Sequence, residues 1–278
     1  MSNGSKVWFI TGSSKGFGHI WAEAALARGD RVAATARNLD TLKDLIEAHG
    51  DNVLPIALDV TDKAAVDSAV RAAHDHFGRL DVVVNNAGYG LFGTIEETTE
   101  EQARAQIETN LFGALWVTKA ALPFLREQGS GHVIQVSSIG GVNAFPTLGL
   151  YHASKWALEG FTQSLAAEVA GFGIKVTLIE PTGYTTDWAG PSSVHAEEIP
   201  AYDAVRAARA EAWANRTRGN PEATGPAILE IVDEPPLRIF FGDGPLEMIK
   251  AEYASRIDTW ERWNELSVRA HGEASAET

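Results

Sequence analysis

The chain has no cysteine among its 278 residues. A disulfide framework, a thiol nucleophile, an iron–sulfur cluster and a Cys-ligated zinc are therefore all excluded. Basic side chains are scarce, with 23 Lys plus Arg against 37 Asp plus Glu and a formal net charge of −14. That balance argues against sequence-independent binding to nucleic acid, which needs a basic face to displace counterions, and against docking on an anionic membrane. A local basic pocket for one anionic ligand stays open. Long apolar runs are also missing. Nothing approaches the roughly 18 residues of a membrane-spanning helix. The apolar run Val7-Trp8-Phe9-Ile10 near the start is shorter than a signal-peptide core of roughly 7–15 residues. No signal peptide, no membrane partner and a cytoplasmic location are the expectations.

What remains is an ordinary globular composition, 45% hydrophobic and 22% charged, in a length that suits one large α/β domain. Short β-branched runs recur at 6–10, 31–36, 53–58, 81–85, 132–137 and 174–180, with a seventh at 237–241. Each is apolar at nearly every position, as in strands covered on both faces. Helical patterns lie between them at 17–28, 39–49, 62–77, 100–128 and 150–171, and a last one runs from about 245 to 270. This alternation predicts a single-domain α/β Rossmann fold, a doubly wound seven-stranded parallel sheet with helices on both faces. Residues 1–185 form the core, 186–220 a substrate-shaping insertion with a short helix at about 201–216, and 221–278 a closing strand and helix. The polar tail from 271 to 278 is expected to fray.

The first run leads into Thr11-Gly12-Ser13-Ser14-Lys15-Gly16-Phe17-Gly18 and then a helix. Gly12 suits a tight turn, Gly16 close backbone approach to a pyrophosphate, and Gly18 close helix–strand packing, with the helix N-terminus attracting phosphate. The spacing is G-x-x-x-G-x-G, not G-x-G-x-x-G, and by itself fits a phosphate cradle or a plain turn of small residues. The same residues satisfy G-x-S-x-G, with Ser14 as a hydrolase nucleophile. That motif belongs on a later strand with its acid and histidine following, so the hydrolase reading is set aside. Tyr151 and Lys155 lie at i, i+4 on one helix face. Ser138 closes the strand run 13 residues before Tyr151, and Asn85-Asn86-Ala87-Gly88 closes the run before that. Strand C-terminal ends are where open α/β sheets bind ligands.

Taken together, TGSSKGFG at 11–18, Asp59, NNAG at 85–88, Asn110, Ser138, YHASK at 151–155 and EPTGYTTDW at 180–188 carry a resemblance. The chain resembles the classical short-chain dehydrogenase/reductase family, and within it the branch of 17β-hydroxysteroid dehydrogenase-like proteins. The resemblance implies a ketone reductase or secondary-alcohol dehydrogenase. Tyr151 would be the general acid, and Lys155 would lower the tyrosine's pKa and hold the nicotinamide ribose. Ser138 would bond the substrate oxygen, and Asn110 would fix a relay water. It also implies cofactor contacts from Gly12, Ser14, Lys15, Gly16, Phe17, Gly18, Arg37, Asp59, Asn86, Ala87, Gly88, Tyr151, Lys155, Pro181, Gly183 and Thr186. One departure is Thr182, which stands between Pro181 and Gly183 where the family has Pro-Gly.

Family members selective for NAD place an acid near Ala36; here Arg37 follows, and Lys15 is a second cation on that side. The guanidinium fork of Arg37 and the charge of Lys15 suit a 2′-phosphate, so NADP(H) is the expected cofactor. Residues 1–186 carry 14 basic and 20 acidic side chains and the remainder 9 and 17, so these two cations are a local exception in an acidic chain. The resemblance further implies a homodimer or homotetramer paired through the helices at 100–128 and 150–171. No metal is expected: His74 and His76 sit at i, i+2 with no third ligand. Glu96-Glu97 and Glu100-Glu101 precede a helix and read as complements to its dipole. Phe145, Tyr184, Trp188, Tyr202 and Trp213 are candidates for an apolar substrate pocket, while His152 could face either way. Two other classes fit the sequence less well than a reductase. A non-catalytic NADP(H) sensor has no use for all four of Ser138, Tyr151, Lys155 and Asn110. A dehydratase or epimerase of the extended branch is usually longer, with different glycine spacing.

Overall fold

A computed structural model describes residues 4–190, 192–214 and 216–272. The tail from 273 onward, expected to fray, and Pro191 in the insertion lie outside the described residues. The chain divides into two units, residues 1–242 and 243–278. The second consists, among its described residues, of one 27-residue helix, Pro245–His271.

Seven parallel strands build the sheet of the first unit: β1 (Val7–Ile10), β2 (Arg31–Ala36), β3 (Val53–Ala57), β4 (Val82–Asn85), β6 (Gly131–Val136), β7 (Ile174–Pro181) and β9 (Arg238–Phe241). Their order is β3-β2-β1-β4-β6-β7-β9. The side chains of β1 show why the runs are apolar throughout. Trp8 and Ile10 enter a core with helices α1 (Gly16–Ala27) and α2 (Lys43–His49). Val7 and Phe9 enter a second core with α3 (Lys63–Phe77), α5 (Ala114–Gln128) and α6 (Gly149–Val169). Alternate side chains point to opposite faces, so both must be apolar when both are covered.

The helix ends follow their sequence signals. Asp62 caps α3 by accepting from the Ala65 N–H at 3.0 Å. Thr99 and Gln102 form a reciprocal capping box on α4 (Glu100–Ile107). The helix expected over 100–128 is not continuous. A six-residue π-helical turn, Glu108–Gly113, separates α4 from α5 and carries Asn110.

The patterns did not reveal two elements. Helix α8 (Thr224–Asp233) packs against α1, burying Ile228 and Ile231, and the Trp21 indole donates to the Thr224 hydroxyl at 2.9 Å. It holds Pro226 in its first turn, where proline is tolerated. A two-stranded parallel ribbon pairs β5 (Leu91–Phe92) with β8 (Val194–His195), tying the insertion to the chain beyond β4. The insertion's helix, α7, spans Asp203–Ala214. Among the described residues, no helix is long and apolar enough to cross a membrane and no cluster of side chains is arranged to hold a metal.

Candidate functional site

Strand order reverses between β1 and β4, and their C-terminal ends open the crevice in which such sheets bind ligands. Thr11 joins the two strands. Its hydroxyl accepts from the N–H groups of Asn86 and Ala87, both at 3.0 Å, and bonds to the Val84 carbonyl at 3.2 Å. The Asn86 amide donates to the carbonyls of Thr11 and Gly12 at 2.9 and 3.0 Å, fixing the start of the glycine turn. Gly18 faces that turn so closely that a Cβ would lie 2.4 Å from the Gly12 carbonyl oxygen. Gly16 has φ +58° and open space, its nearest neighbour being a Thr186 methyl at 4.0 Å. Beside it is an open cleft of about 380 Å³ lined by Ser14, Lys15, Gly16, Thr185 and Thr186, among others. A glycine turn with free space at a helix N-terminus fits a dinucleotide pyrophosphate. The Phe17 ring is engaged elsewhere, stacked on Trp21 at 5.3 Å and edge-on to Tyr184.

The second cluster is assembled by β6, α6 and the π-helical turn. Ser138 follows β6, and its hydroxyl accepts from the Gly140 N–H at 2.9 Å and also bonds the Tyr151 phenol. Lys155 lies one turn along α6, buried, donating to the Val136 carbonyl at 2.8 Å with its ammonium 5.8 Å from the Tyr151 ring centre. Asn110 is buried, bonding both the N–H and the carbonyl of Tyr89 and donating to Ser154. Gly88 lies between the last two: a Cβ there would be 3.0 Å from the Asn110 oxygen and 3.8 Å from the Lys155 nitrogen. The extra residue of a π turn re-aims one side chain out of helical register, and here that turn carries Asn110 toward Gly88.

The electrostatics of the cluster follow from its burial. Burial pushes the Tyr151 phenol up to about 12, and the hydrogen bond to Ser138 is what opposes it. Burial also weakens the hold of Lys155 on its own proton and brings it down to about 8, with Glu159 opposing.

On the cofactor side, Arg37 is exposed beyond β2 and Lys15 pairs with Asp187 at 3.1 Å. The Asp59 carboxyl lies below its ordinary range: burial raises it, but hydrogen bonds from the Thr61 backbone and hydroxyl and the nearby Arg37 charge outweigh that. Thr186 accepts from the Trp188 N–H at the mouth of the cleft, and Gly183 accepts from the Gly219 N–H. Thr182 carries no left-handed backbone strain, Thr147 being the one non-glycine with positive φ among the described residues. Its N–H donates to Phe241 and its side chain lies where a Cβ on Gly242 would be, so a glycine across the sheet edge accommodates the departure at Thr182.

Comparisons with known proteins identify the family. A family model described as short chain dehydrogenase matches residues 6–196. The chain belongs to the short-chain dehydrogenase family. It is 45% identical over 273 residues to oxidoreductase BOA17 of Botryotinia fuckeliana, covering 95% of this chain and 98% of that protein. The crystal structure of a short-chain dehydrogenase from Streptomyces avermitilis superposes with a TM-score of 0.90 at 39% identity, over 97% of this chain and 100% of that one. An alcohol dehydrogenase from Thermococcus sibiricus, complexed with 5-hydroxy-NADP, superposes with a TM-score of 0.72 at 26% identity, over 85% and 96%.

Several residues of this short-chain dehydrogenase act where sequence reasoning did not place them. Thr11 was seen only as the start of the glycine turn. Glu97 is not a helix-dipole complement: it is buried, accepts from the N–H groups of Thr94 and Ile199 at 2.7 and 2.8 Å, and bonds Arg206. Those bonds, the Thr94 backbone first, hold its pKa down to about 2. Behind Lys155, Glu159 and Glu180 are both buried and share Arg238, at 3.3 and 3.6 Å. Burial, then repulsion from Glu159, pushes Glu180 up to about 8. No sequence spacing relates Glu159 on α6 to Glu180 on β7; only sheet packing does. Of the five candidate pocket aromatics, Trp188, Phe145 and Trp213 converge around Tyr151 and His152. Tyr184 packs on Phe17, and the Tyr202 hydroxyl bonds Glu96. His152 faces inward, both ring nitrogens satisfied by the backbone of Gly140 and Phe145.

Proposed function

We propose that this short-chain dehydrogenase is a carbonyl reductase, interconverting a ketone and its secondary alcohol with NADP(H) as cofactor. The observation that carries the reading is the burial of Tyr151, Lys155 and Asn110 beside a half-buried Ser138 that bonds the phenol. Bound NADPH supplies the hydride. Gly12, Gly16, Gly18, Ser14 and Thr186 would hold its pyrophosphate; Asn86, Ala87 and Gly88 would line its path, Pro181 and Gly183 would border the nicotinamide, and Lys15 and Arg37 would receive the 2′-phosphate.

Tyr151, pushed up to about 12, keeps its proton at neutral pH and so delivers it to the oxygen that becomes an alkoxide. Ser138, hydrogen-bonded to that phenol, donates to the same oxygen as charge develops there. Lys155, at about 8, is mostly cationic at neutral pH and supplies positive charge one helical turn from the phenol. Residues 186–220 shape the substrate side, and helices α4, α5 and α6 pair subunits as a dimer or tetramer in the same reading.

The test is NADPH oxidation with a panel of aryl, alkyl, steroid and keto-ester carbonyls, with Tyr151→Phe beside the parent. Loss of the acid lowers kcat by about 10²–10⁴-fold. Reduction by Tyr151→Phe at the parental rate overturns the assignment.

A further inference from the structure

Helix α7 of the insertion presents two arginines one turn apart, and their surroundings differ sharply. Arg206 gathers the acids of its neighbourhood: it bonds Glu97 and Asp203 and lies 3.6 Å from Glu198. Arg209 makes no hydrogen bond or ion pair among the described residues, and its Nε is buried without a partner. Its guanidinium lies over Phe92, 5.2 Å from the ring centre, and 5.9 Å from that of Trp213. Arg209 is thus a half-buried cation left without a carboxylate in a chain with 37 acidic residues. Contacts with aromatic faces offset part of its desolvation but satisfy none of its N–H donors.

The rings that hold Arg209 lead to the reacting centre along two lines. Phe92 touches Trp188 at 5.5 Å, and Trp188 lies 4.9 Å from the Tyr151 ring. Trp213 meets Phe145 at 5.4 Å, Phe145 meets His152 at 5.6 Å, and His152 lies 5.8 Å from Tyr151. The charge of Arg209 is also felt at His152, helping to hold that imidazole neutral after burial has done most of the work. His195, the other titratable group against Phe92, stacks on its ring and bonds Ser193. The cation therefore stands at the far end of runs of contacting rings whose near end is the general acid.

We propose that Arg209 recognises an anionic group on the substrate, and that the substrate class is a ketone with an apolar body carrying a carboxylate remote from the carbonyl. This inference rests on the carbonyl-reductase reading above. A planar guanidinium fork matches a carboxylate in two parallel hydrogen bonds, and a dry aromatic setting strengthens them. The intervening rings place the carboxylate and the reacting carbonyl at opposite ends of the molecule, which disfavours α-keto acids.

The experiment compares 4-oxopentanoate, 4-acetylbenzoate and 4′-acetylbiphenyl-4-carboxylate with their methyl esters, in the parent and in Arg209→Gln. Both kcat/KM with NADPH and calorimetric affinity for the enzyme–NADP⁺ complex are measured. The parent is expected to favour at least one acid over its ester by about ten- to a hundred-fold, largely through KM, with Arg209→Gln erasing the ratio. An ester bound as well as its acid by the parent across the series overturns the inference, and so does an acid preference that survives Arg209→Gln. The two readings fail differently. If the acids bind tightly through Arg209 but no ketone is reduced, the anion recognition by Arg209 stands and the reductase reading falls. If ketones are reduced without discrimination between acid and ester, the reverse holds.

Discussion

Replacing Gly18 by alanine tests whether the glycine turn is held by close packing. The new Cβ would lie 2.4 Å from the Gly12 carbonyl oxygen, 2.5 Å from the Asn86 amide nitrogen and 3.0 Å from the Gly12 carbonyl carbon. Two of the three are backbone atoms and the third is a side chain already committed, so none can yield cheaply. Forcing a methyl into such a contact costs about 1–3 kcal/mol. The Asn86 amide would also lose its bonds to Thr11 and Gly12, a net of about 1–3 kcal/mol for the two. Against this, alanine in a helix gains about 1 kcal/mol over glycine. The balance is a loss of about 1–5 kcal/mol. Gly16→Ala is the control. There a Cβ has room, 4.0 Å from Thr186, and only the +58° φ opposes it, so about 1–2 kcal/mol is expected. Urea denaturation at pH 7, followed by tryptophan fluorescence, measures both, and NADPH titration reports the turn itself. Gly18→Ala within about 0.5 kcal/mol of the parent, or a larger loss from Gly16→Ala, would refute the packing argument.

Arg37→Asp removes a fork suited to the 2′-phosphate and replaces it with a like charge. A charge-assisted hydrogen bond is worth about 1.5–3 kcal/mol, so NADPH affinity should fall by about a hundred-fold or more, while NADH affinity changes little. Equal affinity of the parent for both cofactors, read by fluorescence titration, would contradict the assignment. Glu180→Gln tests the buried acid pair. The Glu180 carboxyl stands at about 8 when folded and at about 4.3 when unfolded. Between those values the folded chain retains a proton that the unfolded chain releases, so this contribution to stability is full below about pH 4 and lost as pH rises through about 8. Unfolding free energy should decline over that window in the parent and be flatter in Glu180→Gln; parallel profiles would remove Glu180 as the cause.

Much of the fold was legible because each strand run had to be apolar on both faces, and that requirement is local. All seven sheet strands lie within a residue of their expected ends at both boundaries, Val53–Ala57 ending one short of Leu58 and Arg31–Ala36 agreeing at both. Where tertiary contacts override local pattern, the reading failed. Helix α8 carries a glycine and a proline in its first turn, yet it is helical because α1 offers an apolar face to Ile228 and Ile231. The long helix expected through Asn110 is interrupted by a π turn, a one-residue shift in register that no periodicity over this stretch announced. Glu97 looked like a dipole complement because its bonds to Ile199 and Arg206 span about a hundred residues of sequence.

By itself the sequence determined the doubly wound sheet, the family and the residues grouped at its strand ends, because those depend on short spacings and on alternation within single elements. Absent cysteine already removed thiol and Cys–metal chemistry. The tertiary structure alone decided which charges remain uncompensated. Lys15 is paired with Asp187, Arg206 with Glu97, and Arg238 with Glu159 and Glu180, while Arg209 is left among aromatic rings. Electrostatic pairing acts through space over a few ångströms, so distances along the chain carry almost no information about it.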